Sequence, residues 1–145
     1  MKESIEKLNK ILEEIPKKLS EISESDSEIK STPAKWSKKE ILGHLIDSAS
    51  NNHQRFIRTQ LSSYLLFPPY TQDQWNKIQH YQSASWKNLI ALWESYNRHL
   101  LHLISHIPGE KLENQCVIGT NPPHSLGFLI EDYVNHLEHH LGQIL

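Results

Sequence analysis

Ser125-Leu-Gly-Phe-Leu-Ile-Glu-Asp-Tyr-Val-Asn-His-Leu-Glu-His-His-Leu-Gly-Gln-Ile-Leu145 decides how this chain folds. At about 100° per residue, Leu126, Leu129, Ile130, Tyr133, Leu137, Leu141 and Ile144 fall into one stripe at three- and four-residue steps. The pattern predicts an amphipathic helix from about Ser125 onward, its stripe turned toward a core. His136 and His140 lie four residues apart on the edge of that stripe, where two imidazoles can meet one ion. His139 and Glu138 point away from it.

Three further helical patterns precede this one. Ile5, Leu8, Ile11, Leu12, Ile15, Leu19 and Ile22 make an apolar row with Lys and Glu between them. Pro16 interrupts the row, which predicts a kink or a split. A second helix follows Pro33, begun by a capping box of Ser37 and Glu40, and runs through Ile41, Leu45, Ala49, Asn52 and Phe56 to about Leu61. A third spans about Ser85 to Ile107 and stops at Pro108-Gly109. Ser20 to Thr32 reads as a polar connector, and Leu66 to Ser83 as a long connection functional in itself or carrying short structure. Gln115 to Gly119 is the best candidate for a strand. Four helices with one apolar stripe each satisfy one another as a bundle, so the expected fold is all-α, a four-helix bundle whose two long connections suit crossovers.

The 145 residues fit one domain, 1–145, which can bury a core without disulfides or a structural metal. With 15 Lys+Arg against 17 Asp+Glu and no basic stripe, neither nucleic acid nor an anionic membrane is an expected partner. The charged N-terminus carries no apolar signal segment and no stretch approaches a bilayer span, so a cytoplasmic protein is expected. One cysteine, Cys116, excludes a disulfide framework and a thiolate metal cage.

The anomaly is ten histidines. On the second helix His44 sits near the edge of the apolar face and can reach a neighbouring helix, whereas His53 reads as surface. On the third, His99, His102 and His106 form a row opposite Trp93, Tyr96, Leu100 and Ile104, facing solvent or another subunit. His44, His136 and His140 can therefore converge inside the bundle, as metal ligands or as hydrogen-bonded, partly buried histidines. Three neutral imidazoles would leave an open coordination position, able to activate either a water or a substrate thiol. All-nitrogen ligation admits zinc, nickel, cobalt, iron and manganese alike. Asp47, one turn after His44, and Asp132, one turn before His136, are placed to accept from ligand imidazoles; Gln143 lies one turn below His140. Arg55 is expected along the cleft as a partner for a substrate carboxylate, or as a salt-bridged surface residue. Tyr70, Trp75 and Tyr81 would form a lid or a plug.

Trp36 leading into Ile41-Leu-Gly-His44-Leu-Ile-Asp47, then Arg55, and later Asp132-Tyr-Val-Asn-His136-Leu-Glu-His139-His140-Leu-Gly-Gln143-Ile144 resembles the DinB-like superfamily. That superfamily includes bacillithiol-dependent transferases and mycothiol-dependent maleylpyruvate isomerases, and members described as metal-dependent hydrolases. The resemblance implies a bundle holding one divalent ion, commonly nickel or zinc, on His44, His136 and His140. The sequence runs only to Leu145, directly after the motif, so a more open pocket is expected than in longer members.

The expected activity is that of a metal-dependent enzyme transferring a low-molecular-weight thiol to an electrophilic small molecule. The alternatives are a hydrolase using a metal-bound hydroxide and a non-catalytic metal-binding stress protein. The His-rich outer face of the third helix and the family's habit suggest a homodimer.

Overall fold

The computed structural model describes residues 1–145. Four long helices carry the fold: α1 (Lys2–Ser20), α3 (Lys38–Leu61), α5 (Trp86–Ser105) and α6 (Leu126–Ile144), with short helices α2 (Glu24–Ser27) and α4 (Gln72–Ile78) between them. Each of α3, α5 and α6 begins on a serine, Ser37, Ser85 and Ser125, whose hydroxyl accepts a backbone N–H of the first turn. At Ser37 the Glu40 carboxylate reaches back to the Ser37 N–H, completing the capping box.

The stripes meet in one core. Leu8, Leu12 and Leu19 of α1 are buried with Leu42, Leu45 and Phe56 of α3, Trp93, Leu100 and Ile104 of α5, and Leu126, Ile130 and Leu137 of α6. Each such side chain stabilises the fold by about 1.5–3 kcal/mol relative to exposure. Helix α3 packs on both α5 and α6, and α1 on the same two, so α1 faces α3 across one diagonal and α5 faces α6 across the other. The crossovers are therefore the α1–α3 and α5–α6 connections. The long segment after α3 joins neighbours instead, correcting the expectation that both long connections cross.

Pro16 neither kinks α1 into two elements nor splits it; the helix is continuous from Lys2 to Ser20. The proline removes one donor, the N–H that would bond the Leu12 carbonyl. That carbonyl instead accepts from Arg98 Nη2 of α5 at 3.2 Å. Buried Leu8, Leu12 and Leu19 pin both halves.

A small three-stranded sheet in the loops supplements the helices. β1 (Tyr64–Phe67) runs parallel to β2 (Gln115–Ile118), and β2 pairs antiparallel with β3 (His124–Ser125). β2 is the strand expected from Gln115 onward, while β1 covers the start of what read as a loop. Gly119, at φ +61°, ends β2 with Pro69 against it; an added Cβ would meet the proline ring at 3.1 Å. This contact ties the β2 end to the segment leading into α4. No helix is long and apolar enough to cross a membrane.

Candidate metal centre

His44 leaves α3 toward α6 and is 1% exposed. His136 and His140, half-buried and one turn apart on α6, face it, with ring centroids 5.0 and 4.8 Å from that of His44 and 4.4 Å from each other. One nitrogen from each ring lies within 4.8 Å of the others, and no other group of three His, Cys, Asp or Glu side chains is so placed. The inward triad read from helix faces is thus brought together, whereas His99, His102 and His106 stay exposed on α5. His53 is not an isolated surface residue. Its Nδ1 lies 3.0 Å from the Tyr96 hydroxyl and its ring packs edge-on to His99, because the α3–α5 seam passes beneath it.

The donor set fits a cation. His44 Nε2 and His136 Nε2 are 3.1 Å apart. Two nitrogens each ~2.1 Å from one ion lie ~3.0–3.4 Å apart at octahedral to tetrahedral angles. Imine nitrogens this close need a proton or a cation between them. A hydrogen bond between the two rings meets that need, and so would a divalent ion, which could also take the third ring: His140 Nδ1 donates to Gln143 Oε1 at 2.8 Å, leaving its Nε2 lone pair free. One proton serves two nitrogens, whereas a divalent ion serves three. Burial, followed by the nearby His136 and His140 rings, holds His44 down at about 4; burial and then His140 hold His136 at about 4 as well. Near neutral pH both rings are therefore uncharged, the form that binds metal.

The supporting residues are arranged differently from expectation. Gln143 contacts its histidine as its spacing suggests. Asp47 does not accept from His44, whose Nδ1 is buried without a partner. Asp47 Oδ1 instead accepts from the Tyr81 hydroxyl at 2.7 Å and from Gln79 Nε2 at 2.8 Å, and burial raises its pKa. Tyr81 belongs to a 3-10 turn (Tyr81–Ser83) after α4, is 6% exposed, and plugs the bundle rather than covering it as a lid. It lies flat on α3 because position 43 is glycine: a Cβ there would stand 2.2 Å from the Tyr81 ring. The Gly43-His44 pair signals this packing in the sequence, but only once the partner ring is known. Asp132 makes no hydrogen bond to His136; it is exposed and acts on that ring through space, favouring its charged form. Trp36, which precedes α3, packs tilted on His44 with ring centroids 5.1 Å apart, a contact that helical periodicity does not reveal.

A cleft of about 270 Å³ begins at His136 and runs along the α3–α6 seam between Ser48, Asn52 and Arg55 on one wall and Asp132 and Tyr133 on the other, roofed by Tyr70. Arg55 is 8% exposed and forms no salt bridge, so it is not the surface ion pair that a helical arginine suggests. A second recess is walled by Trp36, Ile41, Asp73 and Gln143. Cys116 is buried in β2, and burial raises its thiol pKa.

Comparison with known proteins agrees with this architecture. The structure resembles YfiT from Bacillus subtilis, described as a probable metal-dependent hydrolase with an unusual four-helix bundle topology, at a TM-score of 0.77 and 24% identity, covering 99% of this chain and 85% of that one. No curated protein sequence matches significantly. The sequence profile of the DinB superfamily matches residues 3–144. With the four-helix bundle already in place, that match over nearly the whole length means that the chain belongs to the DinB superfamily.

Proposed function

We propose that the chain is a divalent-metal enzyme that activates a low-molecular-weight thiol for transfer to an electrophilic small molecule, with His44, His136 and His140 holding the ion. The observation that carries this reading is the convergence of three imidazoles from two helices beside a cleft, two of them kept neutral by burial. A bound nickel or zinc ion would supply Lewis acidity, bringing the proton loss of a coordinated thiol or water toward neutral pH.

The chain's own residues set the rest. Gln143 holds the His140 ring with its Nδ1–H outward. Trp36 and the buried flank of α3 keep water from the His44 side. Tyr70 and Asn52 border the space for the second reactant. The sulfur comes with the substrate, because the only cysteine is buried and held protonated. A thiol also suits the neighbouring carboxylates: Asp47 is committed to Tyr81 and Gln79 and Asp132 is exposed, so neither is hydrogen-bonded to the triad as a base for water.

The second reading is hydrolysis, favoured by the description of the YfiT structure. Cobalt-loaded protein titrated with simple thiols separates the two. The thiol reading expects a new sulfur-to-metal absorption band and thiol-dependent consumption of an activated aryl halide. Turnover of esters or amides with no thiol present, and no thiol-induced band, would replace it with the hydrolase reading.

A further inference from the structure

Arg55 is the one buried cation in the cleft, and the protein leaves it unmatched. It lies eleven residues beyond His44 on α3, about 16 Å of helix rise. Only 8% of it is exposed, yet no protein atom accepts a hydrogen bond from its guanidinium, and Nε is fully buried without a partner. Its head group lies over the Phe67 ring of β1, 5.1 Å from the centroid, a cation–π contact that supplies no hydrogen-bond acceptor. The nearby acid, Asp132, is not within salt-bridge distance and is itself exposed.

Lys39, the other buried cation, shows what a structural role looks like in this fold: it is clamped by Glu24 and Glu28 of the α2 region. An unmatched buried charge is costly, so a fold that keeps one has a use for it. The guanidinium fork matches a planar carboxylate with two parallel hydrogen bonds. The contact with Phe67 restrains the head group at that place before the ligand arrives.

We propose that Arg55 is the anchor for a substrate carboxylate, so that the cleft takes an elongated anionic small molecule with its carboxylate at the Arg55 end and its reacting atom at the His136 end. Ser48 and Asn52, on successive turns of the same α3 face, line the cleft; the Asn52 amide N–H is taken by the Ser48 carbonyl, which leaves the Asn52 Oδ1 as a neutral acceptor along the ligand. The proposal rests on the cleft being the substrate site of the proposed enzyme, but the anion site at Arg55 is testable without the metal.

The probe is a ladder of straight-chain ω-mercaptocarboxylates graded in length, each paired with its primary amide. In ¹⁵N-labelled protein, both metal-free and zinc-loaded, the Arg55 Nε–H resonance is followed during titration. The expected result is a shift of that resonance by the acids, with binding ~10-fold or more tighter for acid than for amide. In the zinc form the preference should peak at one chain length. Arg55→Gln should abolish the preference and Arg55→Lys should retain only part of it, because a point charge cannot form the fork. Equal affinity of acid and amide for the wild-type protein overturns the proposal without reliance on any variant. An unchanged preference in a folded Arg55→Gln protein overturns it too. A parallel cobalt arm keeps the two ideas apart: if no thiol alters the cobalt spectrum, the thiol reading fails while the acid–amide comparison still decides Arg55.

Discussion

Gly43→Ala sets two physical effects of opposite sign against each other. Helix propensity favours alanine over an interior glycine by about 1 kcal/mol. Packing opposes it, because the new Cβ would lie 2.2–2.7 Å from three atoms of the Tyr81 ring. That ring is 6% exposed and cannot swing into solvent without unplugging the bundle. Overpacking of this kind costs about 1–3 kcal/mol. Displacing the ring also breaks the Tyr81 hydroxyl's bond to Asp47, and a hydrogen bond to a carboxylate contributes about 1.5–3 kcal/mol. The balance is a loss of about 3 kcal/mol. With a urea m-value of about 2 kcal/mol/M, the unfolding midpoint should fall by about 1.5 M. In a Tyr81→Ala background the clash is gone, and Gly43→Ala should instead be neutral or stabilising by up to about 1 kcal/mol. A stabilising effect in the wild-type background, or the same loss in both backgrounds, would refute the argument that this glycine exists to seat Tyr81.

Gln143→Leu should weaken zinc binding by about 10–100-fold in a chelator competition while leaving urea stability nearly unchanged, because it frees the His140 tautomer without touching the core. Acid should destabilise the metal-free protein. His44 titrates at about 4 when folded and near 6.5 when unfolded, so the unfolded chain binds more protons in between; the stability from its neutral ring is complete above about 6.5 and lost as pH falls toward 4. For His44 this amounts to about 3 kcal/mol, and urea unfolding of His44→Leu should show a correspondingly flatter pH dependence; identical slopes would contradict the buried, neutral ring. Arg98→Ala should destabilise the wild-type chain about 1 kcal/mol more than it destabilises Pro16→Ala, where the Leu12 carbonyl regains a helical donor; a double-mutant cycle in urea reads that coupling.

The readings that survived share a cause: they depend on positions fixed by one helix. The Ser37–Glu40 box, the start of α6 at Ser125 and the contact between His140 and Gln143 are local, so spacing alone reveals them. The meeting of His44 with His136 and His140 required one step more, that apolar faces turn inward. Local spacing misled where a partner from elsewhere took over. Asp47 is one turn from His44 but is captured by Tyr81, thirty-four residues away in the chain. The carbonyl stranded by Pro16 is rescued by Arg98 from α5. His53 found Tyr96 on a neighbouring helix. β1 escaped notice because its four residues acquire a ladder only beside β2, some fifty positions later.

Metal stoichiometry tests the central claim most directly. Wild-type protein, the His44/His136/His140 triple alanine variant and the His99/His102/His106 triple alanine variant would be stripped, reloaded with zinc or nickel, passed through a desalting column and assayed by elemental analysis. About one ion per chain is expected in the wild type and in the α5 row variant, and none in the His44/His136/His140 variant, provided all three give the same helical circular dichroism. Retention of the ion by that variant, or its loss from the α5 row variant alone, would contradict the account.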